Sequence, residues 1–164
     1  KFLSWLNDNV QNILKHDRAA LGHAIQRSCQ IKAEIVSADE KEQSIRAILN
    51  FGHTFGHAIE LQTGYSEWSH GEAVSAGMVL ASQLSAKMSL ISKEELEMVK
   101  GLLTKAGLPI EPPDINANDF ITAMKSDKKV KDRKIQLVLL QKMGEAFLTS
   151  EYSEEDLLEV LEAN

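Results

Sequence analysis

Ile45-Arg46-Ala47-Ile48-Leu49-Asn50-Phe51-Gly52-His53-Thr54-Phe55-Gly56-His57-Ala58-Ile59-Glu60 is the stretch that decides how this chain is read. At 3.6 residues per turn, Arg46, Asn50, His53, His57 and Glu60 stand at offsets 0, 4, 7, 11 and 14, which predicts one polar line along a single helix. The other side carries Ile48, Phe51, Phe55, Ala58 and Ile59, the apolar back of a packed helix, and Gly52 leaves room for a second backbone to press close. A solvent-facing helix would show Lys, Glu, Gln and Ser along its line. A guanidinium, an amide and two imidazoles are instead the groups with which a site holds anions and a metal ion. A His pair at i, i+4 can share one divalent cation, and a third imidazole follows in Ser69-His70-Gly71-Glu72-Ala73-Val74. Neutral imidazoles with a carboxylate suit zinc or a similar transition metal, and spacing alone does not choose which two histidines bind it. Thr54 stands where the metalloprotease signature has its base Glu, so that signature is absent. The competing interpretation is a non-catalytic helical interaction domain whose histidines are structural; five functional side chains in register weigh against it.

With 164 residues, 43% of them hydrophobic and 26% charged, the chain has enough apolar material for one core and reads as a single globular domain. A formal net charge of -6 argues against a nucleic-acid partner held by overall field. Cys29 is the only cysteine, which excludes an intrachain disulfide and points to a reducing cytoplasm; it is expected as a small buried hydrophobe. Lys1-Phe2-Leu3-Ser4-Trp5 is too short an apolar run for a signal peptide. Ala73 to Ile91 is interrupted by Ser75, Ser82, Gln83, Ser85 and Lys87, so it reads as a buried helix and no membrane partner is expected. The chain opens inside an apparent helix, as a piece of a longer protein would.

Periodicity predicts an amphipathic helix over residues 2–15 with Phe2, Trp5, Leu6, Val10, Ile13 and Leu14 inward, then a helix capped by Asp17 and running to about Ser37. In the second helix Leu21, Ile25, Cys29 and Val36 form an inward stripe that also contains Lys32, a lysine that either snorkels to solvent or points into the site of the histidine line. Asp39-Glu40-Lys41-Glu42 reads as a polar loop, and Gly64 as the left-handed end of the histidine helix. A long helix is expected from about His70, packed through Val74, Met78, Ala81, Leu84, Met88 and Ile91. Another follows from the Ser92-Lys93-Glu94-Glu95 capping box to Gly107. All three prolines lie at Pro109, Pro112 and Pro113, so a helical bundle can form before them without interruption. Beyond them the sequence predicts a short helix from about Asn118 through Met124. The segment Lys125 to Lys134 carries six cations in ten residues, a solvated loop that would also attract a phosphate or carboxylate. A hairpin of Lys134 to Leu140 with Glu145 to Thr149 and a last helix from Ser153 to about Leu161 complete a mainly α fold, a multi-helix bundle with a small C-terminal β-hairpin.

Asp39-Glu40-Lys41-Glu42-Gln43-Ser44-Ile45-Arg46, the run Leu49 to Glu60, His70-Gly71-Glu72-Ala73-Val74 and Asp127-Lys128-Lys129 together resemble 3-dehydroquinate synthase, in order and over nearly the whole chain. The resemblance implies that residues 1–164 form that enzyme's C-terminal helical domain, which binds metal and substrate, with the N-terminal NAD-binding domain absent from this chain. The family enzyme is a carbon-oxygen lyase of the shikimate route to aromatic amino acids. It turns a phosphorylated keto acid, 3-deoxy-D-arabino-heptulosonate 7-phosphate, into 3-dehydroquinate and phosphate, using NAD and a divalent metal, Zn2+ or Co2+. By the same resemblance His53 and His70 are metal ligands and His57 contacts substrate. Lys32, Arg46, Asn50 and one of Lys128 or Lys129 hold its carboxylate and phosphate, and Glu42 is an active-site carboxylate. The family's third metal ligand, a Glu in an Ala-Glu-x-Ile-Lys-Tyr-Gly motif, has no counterpart here and is expected upstream of Lys1, so the isolated chain is expected to be inactive. Ser44-Ile45 departs from the Gly-Leu that usually precedes the family's arginine. A related sugar-phosphate cyclase or a metal-dependent alcohol dehydrogenase such as glycerol dehydrogenase is the alternative; the histidine block with Asp127-Lys128-Lys129 favours the synthase. The resemblance further implies a cytoplasmic enzyme that is a homodimer at full length.

Overall fold

Helix boundaries follow local hydrogen-bond chemistry. In the computed structural model, which describes residues 1–39, 45–126, 130–131 and 134–164, α1 (Phe2–Leu14) turns into α2 (Arg18–Ala38), where the Asp17 carboxylate accepts from the Ala20 N–H at 2.9 Å. A 3-10 helix (Ile45–Asn50) precedes α3 (His53–Gln62), and α4 (His70–Lys87) and α5 (Lys93–Lys105) follow, each opened by a capping box, Ser69 with Glu72 and Ser92 with Glu95. Then come α6 (Ala117–Ser126), a two-residue antiparallel ladder of β1 (Val130–Lys131) with β2 (Lys134–Ile135), the hairpin of β3 (Leu137–Lys142) with β4 (Glu145–Thr149), and α7 (Glu154–Glu162), capped by Ser153. The mainly α bundle with its C-terminal hairpin is the architecture expected from the sequence.

The core forms around α4. Ala73, Ala76, Leu80, Ala81 and Leu84 are buried among Phe55 and Ile59 of α3, Phe120 and Met124 of α6, Leu137 and Leu139 of β3, and Leu157, Val160 and Leu161 of α7. Two buried hydroxyls on α4 return to their own helix, Ser82 to the Met78 carbonyl and Ser85 to the Ala81 carbonyl, both at 2.8 Å. Ser85 Oγ also accepts from the Leu140 N–H at 3.0 Å, joining the central helix to the hairpin.

Helices α3 and α4 approach so closely that glycine is required. A Cβ on Gly52 would lie 2.7 Å from the Met78 nitrogen, one on Gly56 3.1 Å from Val74 Cα, and one on Gly77 2.1 Å from the Gly52 carbonyl oxygen. Gly52 also has φ +81, in the left-handed region. That conformation corrects the single-helix reading of residues 45–60: the chain breaks at Phe51 and Gly52, so Arg46 and Asn50 lie on the 3-10 helix, and only His53, His57 and Glu60 share α3. Gly64 does end α3 in the left-handed conformation, φ +65.

Other expectations change as well. The stripe of α2 is covered only at its ends: Leu21 and Val36 are half-buried, but Ile25 is 56% exposed and Cys29 and Lys32 are exposed, so Cys29 is not a buried hydrophobe. On α1 Val10 alone is buried and Leu14 is exposed, while Trp5 packs against His23 of α2 with ring centres 4.3 Å apart and planes tilted by 52°. The strand expected over Lys134 to Leu140 is two pieces, because Lys134–Ile135 pairs back with β1 before β3 begins at Leu137.

Two predictions follow from this packing. Gly77→Ala forces a methyl onto the Gly52 carbonyl, so urea denaturation will show a loss of about 2–3 kcal/mol or more. The Tyr152 hydroxyl donates to the Ile135 carbonyl at 2.8 Å, and burial, with the nearby Glu154 charge, pushes its phenol up to about 12. An unfolded tyrosine ionises near pH 10, so between about pH 10 and 12 the unfolded chain holds fewer protons and stability falls as pH rises. Urea midpoints measured against pH will show this decline, and Tyr152→Phe will flatten it.

Candidate metal and substrate site

The glycine crossing sets Gly52 against Val74, Gly77 and Met78 and Gly56 against Ala73 and Val74, so α4 runs back along α3, and the imidazoles of His53, His57 and His70 converge beside it. Ring centres of His53 and His70 are 5.3 Å apart, of His53 and His57 5.7 Å, and of His57 and His70 6.1 Å. His70 opens α4 directly after its cap, where Ser69 and Glu72 satisfy each other's backbone N–H groups. The Ser69 hydroxyl and N–H hold the Glu72 carboxyl below its ordinary range. A histidine at the first position of so firmly capped a helix has a fixed backbone.

The partners of Nδ1 favour one tautomer in two of the rings. His53 Nδ1 lies 3.3 Å from the Phe51 carbonyl and His70 Nδ1 lies 3.1 Å from Glu60 Oε1. A carbonyl or an ionised carboxylate can only accept, so each contact is a hydrogen bond when Nδ1 carries the proton, and that tautomer leaves the Nε2 lone pair for a cation. Metal-bound histidines show this arrangement, with the second nitrogen donating to a carbonyl or carboxylate. Two imidazoles held at about 2.0–2.1 Å from one tetrahedral zinc have ring centres roughly 5 Å apart, a spacing that the His53 and His70 pair matches. His57, Glu60 and His70 form a second, overlapping donor group, with one ligand atom from each lying within 4.8 Å of the others. Both groups contain His70, and the nitrogen-rich donor set fits a zinc-like divalent ion.

The expected anion holders are arranged around this cluster less directly. Arg46 and Asn50 are half-buried on the 3-10 helix that leads into His53, and the Arg46 N–H donates to Asp39 Oδ2 at 3.1 Å, tying that helix to the end of α2. Lys32 stands exposed on α2, which packs against the 3-10 helix. Glu42, Lys128 and Lys129 lie outside the described residues. Glu60 is the participant that the sequence reading left without a role, although its register with His53 and His57 placed it on the same line. Among the described residues no helix is long and apolar enough to cross a membrane.

The family model for the 3-dehydroquinate synthase C-terminal domain matches residues 1–130. The chain belongs to that family. Curated relatives named 3-dehydroquinate synthase include one from Pseudomonas fluorescens, 50% identical over 164 residues, covering 99% of this chain and 45% of the relative. Another, from Psychrobacter cryohalolentis, is 48% identical over 161 residues, 98% of this chain and 44% of the relative. The chain therefore spans about half the length of the curated relatives it matches. Among solved structures, a 2-epi-5-epi-valiolone synthase from Streptomyces hygroscopicus with NAD+ and Zn2+ bound has a TM-score of 0.86 at 22% identity, over 98% of this chain and 45% of that one, and shows the shared fold. A 2-deoxy-scyllo-inosose synthase complexed with carbaglucose-6-phosphate, NAD+ and Co2+ has a TM-score of 0.75 at 25% identity, over 88% of this chain and 41% of that one.

Proposed function

We propose that this chain is the metal- and substrate-binding part of a 3-dehydroquinate synthase, which converts 3-deoxy-D-arabino-heptulosonate 7-phosphate to 3-dehydroquinate and phosphate. The observation that carries the proposal is the convergence of His53 and His70 at a metal-sharing distance, each with Nδ1 given to an oxygen acceptor. It is supported by 48–50% identity to relatives named for that reaction. In this reading His53 and His70 hold Zn2+ or Co2+ through Nε2, and the third protein ligand and the NAD site belong to an N-terminal domain beyond this chain. When bound, the divalent ion would supply Lewis-acid polarisation of substrate hydroxyls and NAD would supply a reversible hydride acceptor.

The chain's own residues supply orientation. His57, one turn along α3 from His53, contacts the substrate's polar groups, while Arg46 and Asn50 donate hydrogen bonds to carboxylate or phosphate oxygens from the edge of the site. Lys32, Glu42 and one of Lys128 or Lys129 complete the polar lining in this reading. Fixed cations and donors that meet a substrate with two anionic groups in one geometry do most of the work of the reaction. A cytoplasmic setting accords with the lone Cys29, and a homodimer of the full-length enzyme accords with the exposed apolar side chains Leu14 and Ile25.

His53→Ala and His70→Ala will each weaken zinc binding by more than about 100-fold, beyond what loss of a ligand-orienting partner costs, with little change in helix content by circular dichroism. Unchanged zinc uptake accompanied by lost stability would make the histidines structural. The purified chain will release no phosphate from the substrate, whereas the full-length protein will, in preference to other sugar phosphates. Robust turnover by the chain alone, or preference of the full-length protein for another sugar phosphate, would overturn the assignment.

A further inference from the structure

We propose that Glu60 is a positioning residue whose carboxylate fixes the tautomer and ring orientation of His70, so that Nε2 is presented to the cation; this rests on the metal reading above. Glu60 lies on the third turn of α3, and its Oε1 is 3.1 Å from His70 Nδ1. Its side chain is only 13% exposed, against 57% for His70, so the carboxylate is the anchored member and the imidazole the one in need of restraint. The backbone of His70 is already fixed by the Ser69 and Glu72 capping box, which leaves ring rotation and tautomer as its remaining freedoms. A single hydrogen bond from Nδ1–H to Glu60 removes both. The Phe51 carbonyl plays the corresponding part for His53 at 3.3 Å. The two rings are thus set to the same tautomer by acceptors of different kinds, one backbone and one side chain. Only the second can be removed by substitution.

The inference also decides between two uses of one carboxylate. Glu60 shares a donor group with His57 and His70 whose ligand atoms lie within 4.8 Å of one another, so its position alone would equally allow direct coordination. The contact at Oε1 gives the carboxylate an orienting use, and a ligand role would need Oε2 to reach the cation; the substitutions below separate the two.

The test needs no turnover. Long-range 1H–15N NMR of the 15N-histidine-labelled, metal-free chain at pH 8 will show His70 as the Nδ1–H tautomer. Glu60→Ala will shift it towards Nε2–H. Glu60→Gln, whose amide oxygen still accepts, will retain much of the native tautomer. In a chelator competition for zinc, Glu60→Ala will bind about 10–100-fold more weakly than the unsubstituted chain, with Glu60→Gln in between. Circular dichroism of Glu60→Gln, an isosteric change, guards against a folding defect in the alanine variant. An Nε2–H His70 in the unsubstituted chain, or zinc affinity of Glu60→Ala within twofold of it, would overturn the proposal. Loss of zinc by Glu60→Gln as complete as that by His70→Ala would overturn it too, by making Glu60 a ligand. A chain that shows the expected tautomers and their response to Glu60→Ala but takes up no zinc would overturn the metal reading instead, and with it the purpose assigned to the contact.

Discussion

Everything at the site depends on how near two backbones can come. Gly52, Gly56 and Gly77 remove the side chains that would otherwise hold α3 and α4 apart, and the Gly52 carbonyl then occupies the space where a Cβ of residue 77 would be. Interhelical distances of 8–10 Å are usual when side chains interdigitate, and glycines at a crossing permit the closer end of that range or less. The crossing lies at Val74 and Gly77, one to two turns from His70, so a small change in helix separation would be felt almost undiminished at the imidazoles. The surrounding core of Phe55, Ile59, Leu80, Leu84, Phe120 and Leu139 keeps the two helices pressed together.

Around that rigid crossing the buried hydroxyls of α4 are satisfied by backbone groups of their own helix and of neighbouring elements. Ser85 connects α4 to the hairpin through the Leu140 N–H, and Ser75 donates to the Pro109 carbonyl at 2.8 Å, which attaches the proline-bearing segment after α5 to the central helix. No buried side-chain nitrogen or oxygen among the described residues lacks a hydrogen-bond partner. A core satisfied in this way holds its helices in register without drawing on the imidazoles, which remain at its edge, half-buried or exposed, where a substrate can reach them.

What the sequence revealed best was chemistry decided within four or five residues. Asp17, the Ser92 and Glu95 pair, Ser153, Gly64 and Gly107 each act through a hydrogen bond or a left-handed turn confined to their own helix end, and each acts where expected. The break at Gly52 was hidden because helical spacing continues smoothly through it, and a glycine in such a run signals either close packing or a break; here it provides both. The apolar stripe of α2 was legible as a stripe, but amphipathicity does not say what covers it, and Ile25 and Cys29 lie exposed in this chain. The strand after the basic segment was read as one because alternation does not report a change of partner at Gln136. Of the candidate site, the meeting of His53, His57 and His70 was legible from spacing and family resemblance. The contact from Glu60 was not, since it spans two helices and depends on the angle between them.

The left-handed residue before His53 also divides the site into two separately phased pieces. Each residue added to an α-helix turns the following side chains by about 100°, and the count for His53, His57 and Glu60 starts afresh at Gly52 rather than running on from Arg46. A change in chain length before Gly52 would thus re-phase Arg46 and Asn50 while leaving the imidazoles aimed as they are. One residue gained or lost between Gly52 and Glu60 would swing the later donors out of line with those before them.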